Sequence, residues 1–279
     1  MANTRISLVI PTYKREELLV QTLKCALQQS HPEYEIILVD QTPDHTDETL
    51  RFLDENKDRI NIIHSDTPSV TIARNIGTRA ASGEIVVFID DDTSFDEDFL
   101  KKHEVALSGD CDFVQGRVIE KGCKIYKKPV WLSFAGNFSG SDFCITDGKT
   151  NNITGCNFSF KKVLFDELAG FDEAFQGIAV CEDTDFAYRA YKLGFEGCFS
   201  SDAFLYHHRS DSGGVGHGVS NQDFDLGYYR NKLYFYKKNF PYPVYIYQWF
   251  KFLSKGLRRF YRLYRLATSE ANRLQKNSK

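Results

Sequence analysis

The order of strand-like and helix-like segments near the N-terminus most restricts the fold of this chain. Short runs rich in β-branched and aromatic residues predict strands at residues 6–10, 34–39, 60–64 and 84–89. Amphipathic segments between them predict helices at 16–29, 47–56 and 70–81. This order predicts an α/β fold with a mostly parallel sheet flanked by helices. Ligands of such sheets bind outside the carboxyl ends of the strands.

Three consecutive carboxylates, Asp90, Asp91 and Asp92, follow the fourth predicted strand. Acids at positions i and i+2 can share Mg²⁺ or Mn²⁺, which prefer carboxylate oxygens and commonly bridge to phosphates. An acidic turn before the next helix is the alternative interpretation. Pro11 and Asp40 end two other predicted strands, so we expect them at the same edge of the sheet. Their convergence favours a nucleotide-diphosphate site.

Charge is distributed unevenly along the 279 residues of the chain. The formal net charge of −3 gives no indication of a nucleic-acid partner. Residues 226–279 nevertheless carry 13 Lys and Arg against one acid, Glu270, which leaves a net charge of −15 on residues 1–225. This asymmetry predicts an acidic body, 1–225, and a basic helical tail, 226–279, that meets an anionic partner.

Residues 244–266 within this tail show the periodicity of an amphipathic helix. Its apolar face is formed by Ile246, Trp249, Phe250, Leu253, Leu257, Phe260 and Tyr264. The opposite side carries the cations Lys251, Lys255, Arg258, Arg262 and Arg265. A basic, aromatic-rich helix is typical of segments that lie on an anionic membrane surface. Alternatively, the apolar face packs on the rest of the protein and leaves the cations in solvent.

The chain contains seven cysteines, and none belongs to a Cys-x-x-Cys pair. Their odd number and spacing indicate neither a zinc knuckle nor a secreted disulfide framework, so a reducing cytosol is expected. The N-terminal residues lead directly into the first strand, and no segment has the length of a transmembrane helix. We therefore expect a cytoplasmic protein, which the basic tail can hold at the inner face of the membrane.

Six motifs follow one another along the chain. They are the loop Pro11-Thr12-Tyr13-Lys14-Arg15, residues 73–84, the acidic triplet, residues 155–160 with 170–173, the segment Glu182-Asp183-Thr184-Asp185 and residues 202–208. Together they resemble the motifs of the family 2 glycosyltransferases, which are inverting nucleotide-sugar enzymes with the Rossmann-like GT-A fold. The resemblance covers about residues 5–240. It implies a donor-binding half, 1–108, and an acceptor and catalytic half, 109–225.

The resemblance implies a donor site formed by Pro11, Thr12, Tyr13, Arg15, Asp40, Arg74, Asp90 and Asp91. Asp40 would read the nucleotide base, Asp90 would lie near the ribose, and Asp91 would contact the sugar. Arg74 would meet the diphosphate or the base edge through its planar donor fork. Residues 41–43 replace the family's second acid and Gly-Ser, so the resemblance does not identify the base.

The resemblance also implies a metal site in which Asp92, together with Asp90, holds Mn²⁺ or Mg²⁺. The cation would offset the charge that develops on the leaving diphosphate. His207 or His208 would supply a further ligand. Because neighbouring side chains of a strand face opposite ways, only one of the two can reach the cation.

An inverting transfer needs a carboxylate that deprotonates the acceptor hydroxyl. By the resemblance, Asp183 is the expected base and Glu182 the second candidate, although acids in a first helical turn can also serve only the helix dipole. Trp131 and Asn157 are the expected acceptor residues; a buried core Trp is the alternative for Trp131. The glycine-rich segment 211–220 either closes over the donor or is a surface linker.

These observations predict a metal-dependent inverting glycosyltransferase that moves a sugar from a nucleotide-diphosphate donor to a saccharide or lipid-linked saccharide. The expected setting is surface polysaccharide biosynthesis. One alternative is a nucleotidyltransferase on a similar fold, although residues 11–15 lack the glycines of a phosphate loop. The other is a non-catalytic nucleotide-sugar-binding or scaffold protein, and the simultaneous presence of Asp92, Asp183 and the histidines argues against it.

Overall fold

A mixed sheet of nine paired strands lies at the centre of the computed structural model. The structure describes residues 4–178, 180–209, 213–214 and 221–254, with the backbone alone for 221–226. The strand order is β3-β2-β1-β4-β10-β6-β11-β5, and β9 pairs with β11. Strands β3, β2, β1, β4, β6 and β11 share one direction, while β10, β5 and β9 run against them. The predicted α/β architecture with a mostly parallel sheet is confirmed.

The strands are β1 (Ile6–Thr12), β2 (Tyr34–Asp40), β3 (Ile60–His64), β4 (Ile85–Ile89), β5 (Thr93–Ser94), β6 (Phe113–Ile119), β7 (Trp131–Leu132), β8 (Phe138–Ser139), β9 (Gly148–Lys149), β10 (Asn157–Lys161) and β11 (Gly197–His207). The helices are α1 (Glu17–Leu27), α2 (Asp47–Glu55), α3 (Val70–Ala80), α4 (Phe99–Leu107), α5 (Val163–Glu167), α6 (Glu182–Lys192) and α7 (Asn221–Asn239). The four strands and three helices predicted near the N-terminus are all present, within two residues at each end. β1 continues through Pro11 and Thr12 because Thr12 still pairs with Asp40 of β2.

Strand β10 was not predicted, and it inserts antiparallel between β4 and β6. It is buried on both faces. Phe158 and Phe160 pack with Phe88 on one side, with Phe88 and Phe158 ring centroids 5.0 Å apart. Asn157 and Ser159 face α4 on the other side and bond to His103. A strand with aromatic side chains on one face and polar ones on the other lacks the apolar run that marks a two-sided buried strand.

Asn157, an expected acceptor residue, has a fully buried side chain in this structure, and its role toward the acceptor stays a prediction. Its amide Nδ2 donates to the carbonyls of Arg117 and Ala203, each at 2.9 Å. Ala203 lies where the register of β11 shifts between Ser200 and Phe204. Asn157 thus donates to two backbone carbonyls beside this register shift, one in β6 and one in β11.

Two of the cysteines are bonded to each other, although the number and spacing of the cysteines indicated no disulfide framework. Cys111 and Cys198 form a disulfide between the segment before β6 and the start of β11. No local spacing indicated this pair, since the two residues are 87 positions apart and only the parallel pairing of β6 with β11 brings them together. The other five cysteines are free thiols.

Helix α7 packs against α6 at one side of the sheet. Phe235 and Tyr236 of α7 join Tyr188 of α6 in a core cluster separate from the two that cover the sheet. The predicted boundary between residues 225 and 226 falls inside α7, so the helical segment begins before it. The division into two domains stays a prediction.

Residues 242–254 are the described part of a further helix, α8. Its packed side carries Val244, Tyr245, Gln248 and Phe252. The predicted apolar face lies elsewhere, with Trp249, Phe250 and Leu253 exposed. Ile246 of that face is half-buried, so the choice between the membrane and the packing alternative stays open; residues 255–266 lie outside the described part. No helix in the described part is long and apolar enough to span a bilayer.

His103 is fully buried between α4 and β10. Asn157 uses Nδ2 as a donor elsewhere, so its Oδ1, 3.0 Å away, accepts from His103 Nε2–H. His103 Nδ1 then accepts from the hydroxyl of Ser159 at 2.8 Å. Burial lowers the pKa of His103 to about 4, so the ring is neutral in the folded protein at neutral pH.

We expect the free energy of unfolding to decrease as the pH falls from 6.5 to about 4. In this range the unfolded chain binds a proton that the folded protein excludes, and one such group contributes about 3 kcal/mol. Urea unfolding of the wild type and His103→Gln from about pH 4.5 to 7.5 measures the effect, because carboxylates titrate in both proteins and cancel. A difference in the free energy of unfolding between the two proteins that does not change with pH would contradict the expectation.

Candidate active site

A cavity of about 390 Å³ opens at the carboxyl ends of β1, β4, β6 and β11. Ten of the predicted site residues line it: Pro11, Thr12, Tyr13, Arg15, Arg74, Asp90, Asp91, Glu182, Asp183 and His207. Asp92 lies directly behind Asp90 and Asp91, whereas Asp40, Trp131, Asn157 and His208 lie outside the lining. Residues up to 196 positions apart in the chain thus meet at the edge where parallel strands end.

Arg15 neutralises two carboxylates of the acidic triplet. Its Nε lies 3.1 Å from Asp91 Oδ1, and its Nη2 lies 3.1 Å from Asp92 Oδ2. Asp91 also accepts a hydrogen bond of 2.7 Å from the hydroxyl of Thr12. Burial raises the pKa of Asp91 to about 6 against the opposing effects of Arg15 and Thr12. Asp91 and Asp92 are therefore buried and paired rather than parts of a solvated acidic turn.

Asp90, Asp92 and His207 each offer one ligand atom, and these atoms all lie within 4.8 Å of one another. His207 Nε2 is 3.2 Å from Asp92 Oδ1 and 3.9 Å from Asp90 Oδ2. Two carboxylates and one imidazole are a donor set that suits Mn²⁺ and also accommodates Mg²⁺. The predicted residues thus fit a divalent cation.

The structure separates the two candidate histidines. His208 is exposed, and its Nε2 lies 2.8 Å from the hydroxyl of Ser94, away from the acids. Burial lowers the pKa of His207, but the hydrogen bond with Asp92 and the charges of Asp90 and Asp92 raise it to about 9. Without a cation, His207 is therefore protonated and serves as the counter-ion of the acids.

The first turn of α6 presents Glu182 and Asp183 to the cavity in different ways. Glu182 is 3% exposed and accepts a 3.1 Å hydrogen bond from Arg74 Nη1. Asp183 is half-buried and accepts from the amide N–H groups of Gly155, at 2.9 Å, and Thr184, at 2.6 Å. Arg74 Nε and Glu182 Oε2 are buried without a hydrogen-bond partner among the described residues. The pair is therefore held in place but keeps polar atoms for a ligand.

Burial and the neighbouring charge of Asp183 raise the pKa of Glu182, against the effect of Arg74. Burial also raises the pKa of Asp183, while Arg74 and the two amides oppose it. A raised pKa makes a carboxylate a better proton acceptor near neutral pH. Glu182 is paired with the charged Arg74, whereas Asp183 is held by two neutral amides at the cavity, and which of the two acts as the base stays a prediction.

Asp40 is turned away from the cavity. Its Oδ2 lies 3.0 Å from His45 Nε2, and its Oδ1 accepts a 2.9 Å hydrogen bond from the amide of Thr42. Burial raises its pKa, but the bonds from His45 and Thr42 bring the net pKa below the ordinary value. Gln41 lines the cavity instead, with its Oε1 bonded to the amide of Ser69. Asp40 thus holds the loop after β2, and its predicted contact with the base is not available in this structure.

Trp131 is half-buried outside the cavity, with its ring edge-on to Tyr191 at 5.5 Å. The structure therefore favours the packing alternative for this residue. Of the glycine-rich segment, Gly213 and Gly214 are described. Gly214 lines the cavity and donates its amide to the carbonyl of Tyr13 at 2.8 Å. The predicted closure of residues 211–220 otherwise lies outside the described residues.

Glu120 lines the cavity and was not among the predicted residues. It follows β6 directly, and its Oε1 lies 2.8 Å from His207 Nδ1. No motif marks it. An acid after a strand of the parallel sheet, as at Asp40 and Asp90, was the signal that could have identified it.

The family model described as glycosyl transferase family 2 matches residues 7–169. The chain belongs to this family. Glycosyltransferase GlyG of Streptococcus pneumoniae serotype 4 is 26% identical over 250 residues, which cover 81% of this family 2 chain and 76% of GlyG. Poly(ribitol-phosphate) beta-N-acetylglucosaminyltransferase TarS of Staphylococcus aureus is 27% identical over 103 residues, or 35% of this chain. The chain spans less than half of the length of several curated relatives that it matches, 18% in the case of TarS.

Solved structures share the fold of this family 2 chain at low sequence identity. TarS residues 1–349 in complex with UDP-GlcNAc superpose with a TM-score of 0.60 at 20% identity, covering 80% of this chain and 64% of the TarS chain. Mannosyltransferase PcManGT from Pyrobaculum calidifontis, in complex with GDP-Man and Mn²⁺, superposes with a TM-score of 0.60 at 18% identity, covering 85% and 64%. The fold is thus the GT-A fold of glycosyltransferases.

Arg74 is expected to stabilise the site through its buried pair with Glu182. Arg74→Met leaves a buried carboxylate unpaired, which costs about 3–5 kcal/mol. In Arg74→Met/Glu182→Gln no such charge remains, so the double variant should be less destabilised than the sum of the single variants. Urea unfolding at neutral pH completes this cycle. Lys149→Met, at an exposed ion pair, is the control and should cost less than about 1 kcal/mol. Additive effects of the two substitutions would contradict the expectation.

Proposed function

We propose that this family 2 protein is a metal-dependent inverting glycosyltransferase. It transfers a sugar from a nucleotide-diphosphate donor to a saccharide or lipid-linked saccharide in surface polysaccharide biosynthesis. The observation that carries the proposal is the meeting of three groups at one cavity: the cluster of Asp90, Asp92 and His207, of which Asp90 and His207 line the cavity, the guanidinium of Arg74 and the carboxylate of Asp183. The folds of TarS and PcManGT, solved with UDP-GlcNAc and with GDP-Man and Mn²⁺, support it.

In this mechanism Asp90, Asp92 and His207 hold the cation, Mn²⁺ or Mg²⁺. When bound, the cation supplies Lewis-acid stabilisation of the leaving nucleoside diphosphate. Arg74, whose Nε has no hydrogen-bond partner among the described residues, faces the cavity and would bind a diphosphate oxygen. Thr12 and Arg15 act indirectly, because they hold the acidic triplet that carries the ligands.

Asp183 is the base in this proposal. Its carboxylate reaches the cavity at the N-terminus of α6, where the amides of Gly155 and Thr184 hold it in one orientation. It would accept the proton of the acceptor hydroxyl as the oxygen attacks the anomeric carbon from the side opposite the diphosphate. Glu182 keeps Arg74 in place and so orients the donor-binding guanidinium.

Substitution of Asp183 separates chemistry from donor binding. Asp183→Asn keeps one of the two amide contacts through its Oδ1, loses the other, and cannot accept a proton, so transfer should fall by about 10²–10⁴-fold. Binding of the nucleoside diphosphate with Mn²⁺ should change little. Released nucleotide from a panel of nucleotide sugars measures the first quantity, and calorimetry measures the second.

Asp92→Ala should instead remove cation binding and transfer together. Asp166→Asn, an exposed acid on α5 outside the cavity, is the matched control and should leave both unchanged. Undiminished transfer by Asp183→Asn would exclude this residue as the base. Donor binding that needs no metal and is unaffected by Asp92→Ala would contradict the proposed site.

We further propose that α8 rests on an anionic membrane surface, where a lipid-linked acceptor would lie. Trp249, Phe250 and Leu253 are exposed together on one side of α8, and Phe134 is 80% exposed in the loop that Gln248 contacts. Residues 226–279 carry 13 cations against one acid. Exposed aromatic side chains and a high positive charge are the two contributions that hold a peripheral helix on anionic lipid.

Pelleting with anionic and neutral vesicles tests this contact on the full chain. Trp249→Ser/Phe250→Ser/Leu253→Ser should weaken anionic vesicle binding at least about tenfold, since three apolar side chains leave the lipid. Leu50→Ser/Val105→Ser/Val163→Ser removes three exposed apolar side chains elsewhere and should have no effect. Equal pelleting of the two triple variants would exclude α8 as the contact.

A further inference from the structure

Three carboxylates surround the imidazole of His207. Asp90 and Asp92 face Nε2, whereas Glu120 lies on the opposite side of the ring, with Oε1 2.8 Å from Nδ1. Glu120 does not belong to the cluster of Asp90, Asp92 and His207, whose ligand atoms all lie within 4.8 Å of one another. It therefore contacts the histidine without joining the cluster itself.

The sheet places Glu120 beside His207. β6 and β11 run parallel, and Ile119 of β6 is in register with Tyr206 of β11. The next residues are Glu120, which follows β6 directly, and His207, the last residue of β11, so the two lie side by side at the edge of the cavity. The backbone thus determines the contact between the two side chains before any ligand is considered.

Arg209 holds the second oxygen of Glu120. Its Nε lies 2.6 Å from Glu120 Oε2, and the Glu120 side chain is 7% exposed. Cys123 contributes a weaker contact of 3.3 Å from its Sγ to the same oxygen. With Oε2 engaged by Arg209, Oε1 remains directed at the imidazole. A buried carboxylate held at both ends has little freedom to take another orientation.

We propose that Glu120 is a positioning residue that orients His207 toward the divalent cation. By accepting Nδ1–H, it leaves Nε2 as the ring nitrogen with a lone pair on the side of Asp90 and Asp92. A histidine ligand whose other nitrogen donates to a carboxylate is held in one tautomer and one ring orientation. This inference rests on the proposed function, because it assigns Glu120 to the cation site of that reaction.

The test is Mn²⁺ affinity, measured on the full chain by calorimetry and by electron paramagnetic resonance in the presence of UDP. Glu120→Ala should bind Mn²⁺ about 10–100-fold more weakly. Glu120→Gln retains an oxygen that can accept Nδ1–H, so it should recover most of the affinity. Glu196→Ala removes a glutamate that pairs with Lys149 at the surface, and it should match the wild type. Thermal unfolding without metal reports whether each variant is folded.

A double-mutant cycle with His207 distinguishes positioning from a general structural role. In the His207→Ala background, Glu120→Gln and Glu120→Ala should bind Mn²⁺ equally, because no imidazole remains to orient. Wild-type affinity in Glu120→Ala, or an equal loss with and without His207, would overturn the proposal. If Glu120→Ala does not fold, wild type and Glu120→Gln are compared instead. A difference in Mn²⁺ affinity between these two that persists in the His207→Ala background would overturn the proposal.

Asp92→Ala separates this inference from the proposed function. Loss of Mn²⁺ binding in Asp92→Ala with unchanged binding in Glu120→Ala would overturn the positioning role alone. Unchanged Mn²⁺ binding in both variants would overturn the cation site of the proposed function and the positioning role with it. Loss in both variants, with recovery in Glu120→Gln, is the result expected.

Discussion

The pairing of Arg15 with Asp91 and Asp92 is the interaction on which the rest of the site depends. Three carboxylates in succession repel one another, and burial at the end of β4 would favour their protonation. The guanidinium lies within 3.1 Å of two of them, and Thr12 donates to Asp91 from β1. Because β1 and β4 are adjacent and parallel, their pairing also brings Thr12, at the end of β1, and Arg15, just after it, next to the acids that follow β4. These two residues offset the cost of burying the acids.

The two acids of α6 illustrate how one local motif can serve two purposes. Glu182 faces Arg74 and is almost fully buried, whereas Asp183 accepts backbone amides and reaches the cavity. The contact with Glu182 fixes the orientation of the Arg74 guanidinium. Asp183 supplies a carboxylate with a raised pKa. Neighbouring residues in a first helical turn point in different directions, which is why a pair of acids can divide these tasks.

The sequence predicts the β1–β4 half of the fold well because each element there carries its own periodicity and the strands run parallel. It also identifies the acids of the cavity, since they follow strands directly. β10 was missed because its polar residues pack on His103 inside the protein, a contact visible only in three dimensions. Glu120 was missed, and Asn157 and Asp40 make contacts other than the predicted ones, for one reason. A polar side chain at a strand end can face the cavity, a backbone carbonyl or another side chain, and the residue type alone does not decide among them.

The contacts that place His207 also set a condition on cation binding. The acids around the ring raise the pKa of His207 to about 9, so near neutral pH the ring carries a proton where a cation would bind. A ligand imidazole must be deprotonated at the coordinating nitrogen, so the cation competes with that proton for the same acids. Glu120 would accept Nδ1–H in both states, whereas Asp92 would give up its contact with Nε2 in order to bind the cation. Without a cation, the protonated ring thus offsets part of the negative charge of Asp90 and Asp92, which helps these carboxylates to meet at one edge of the sheet.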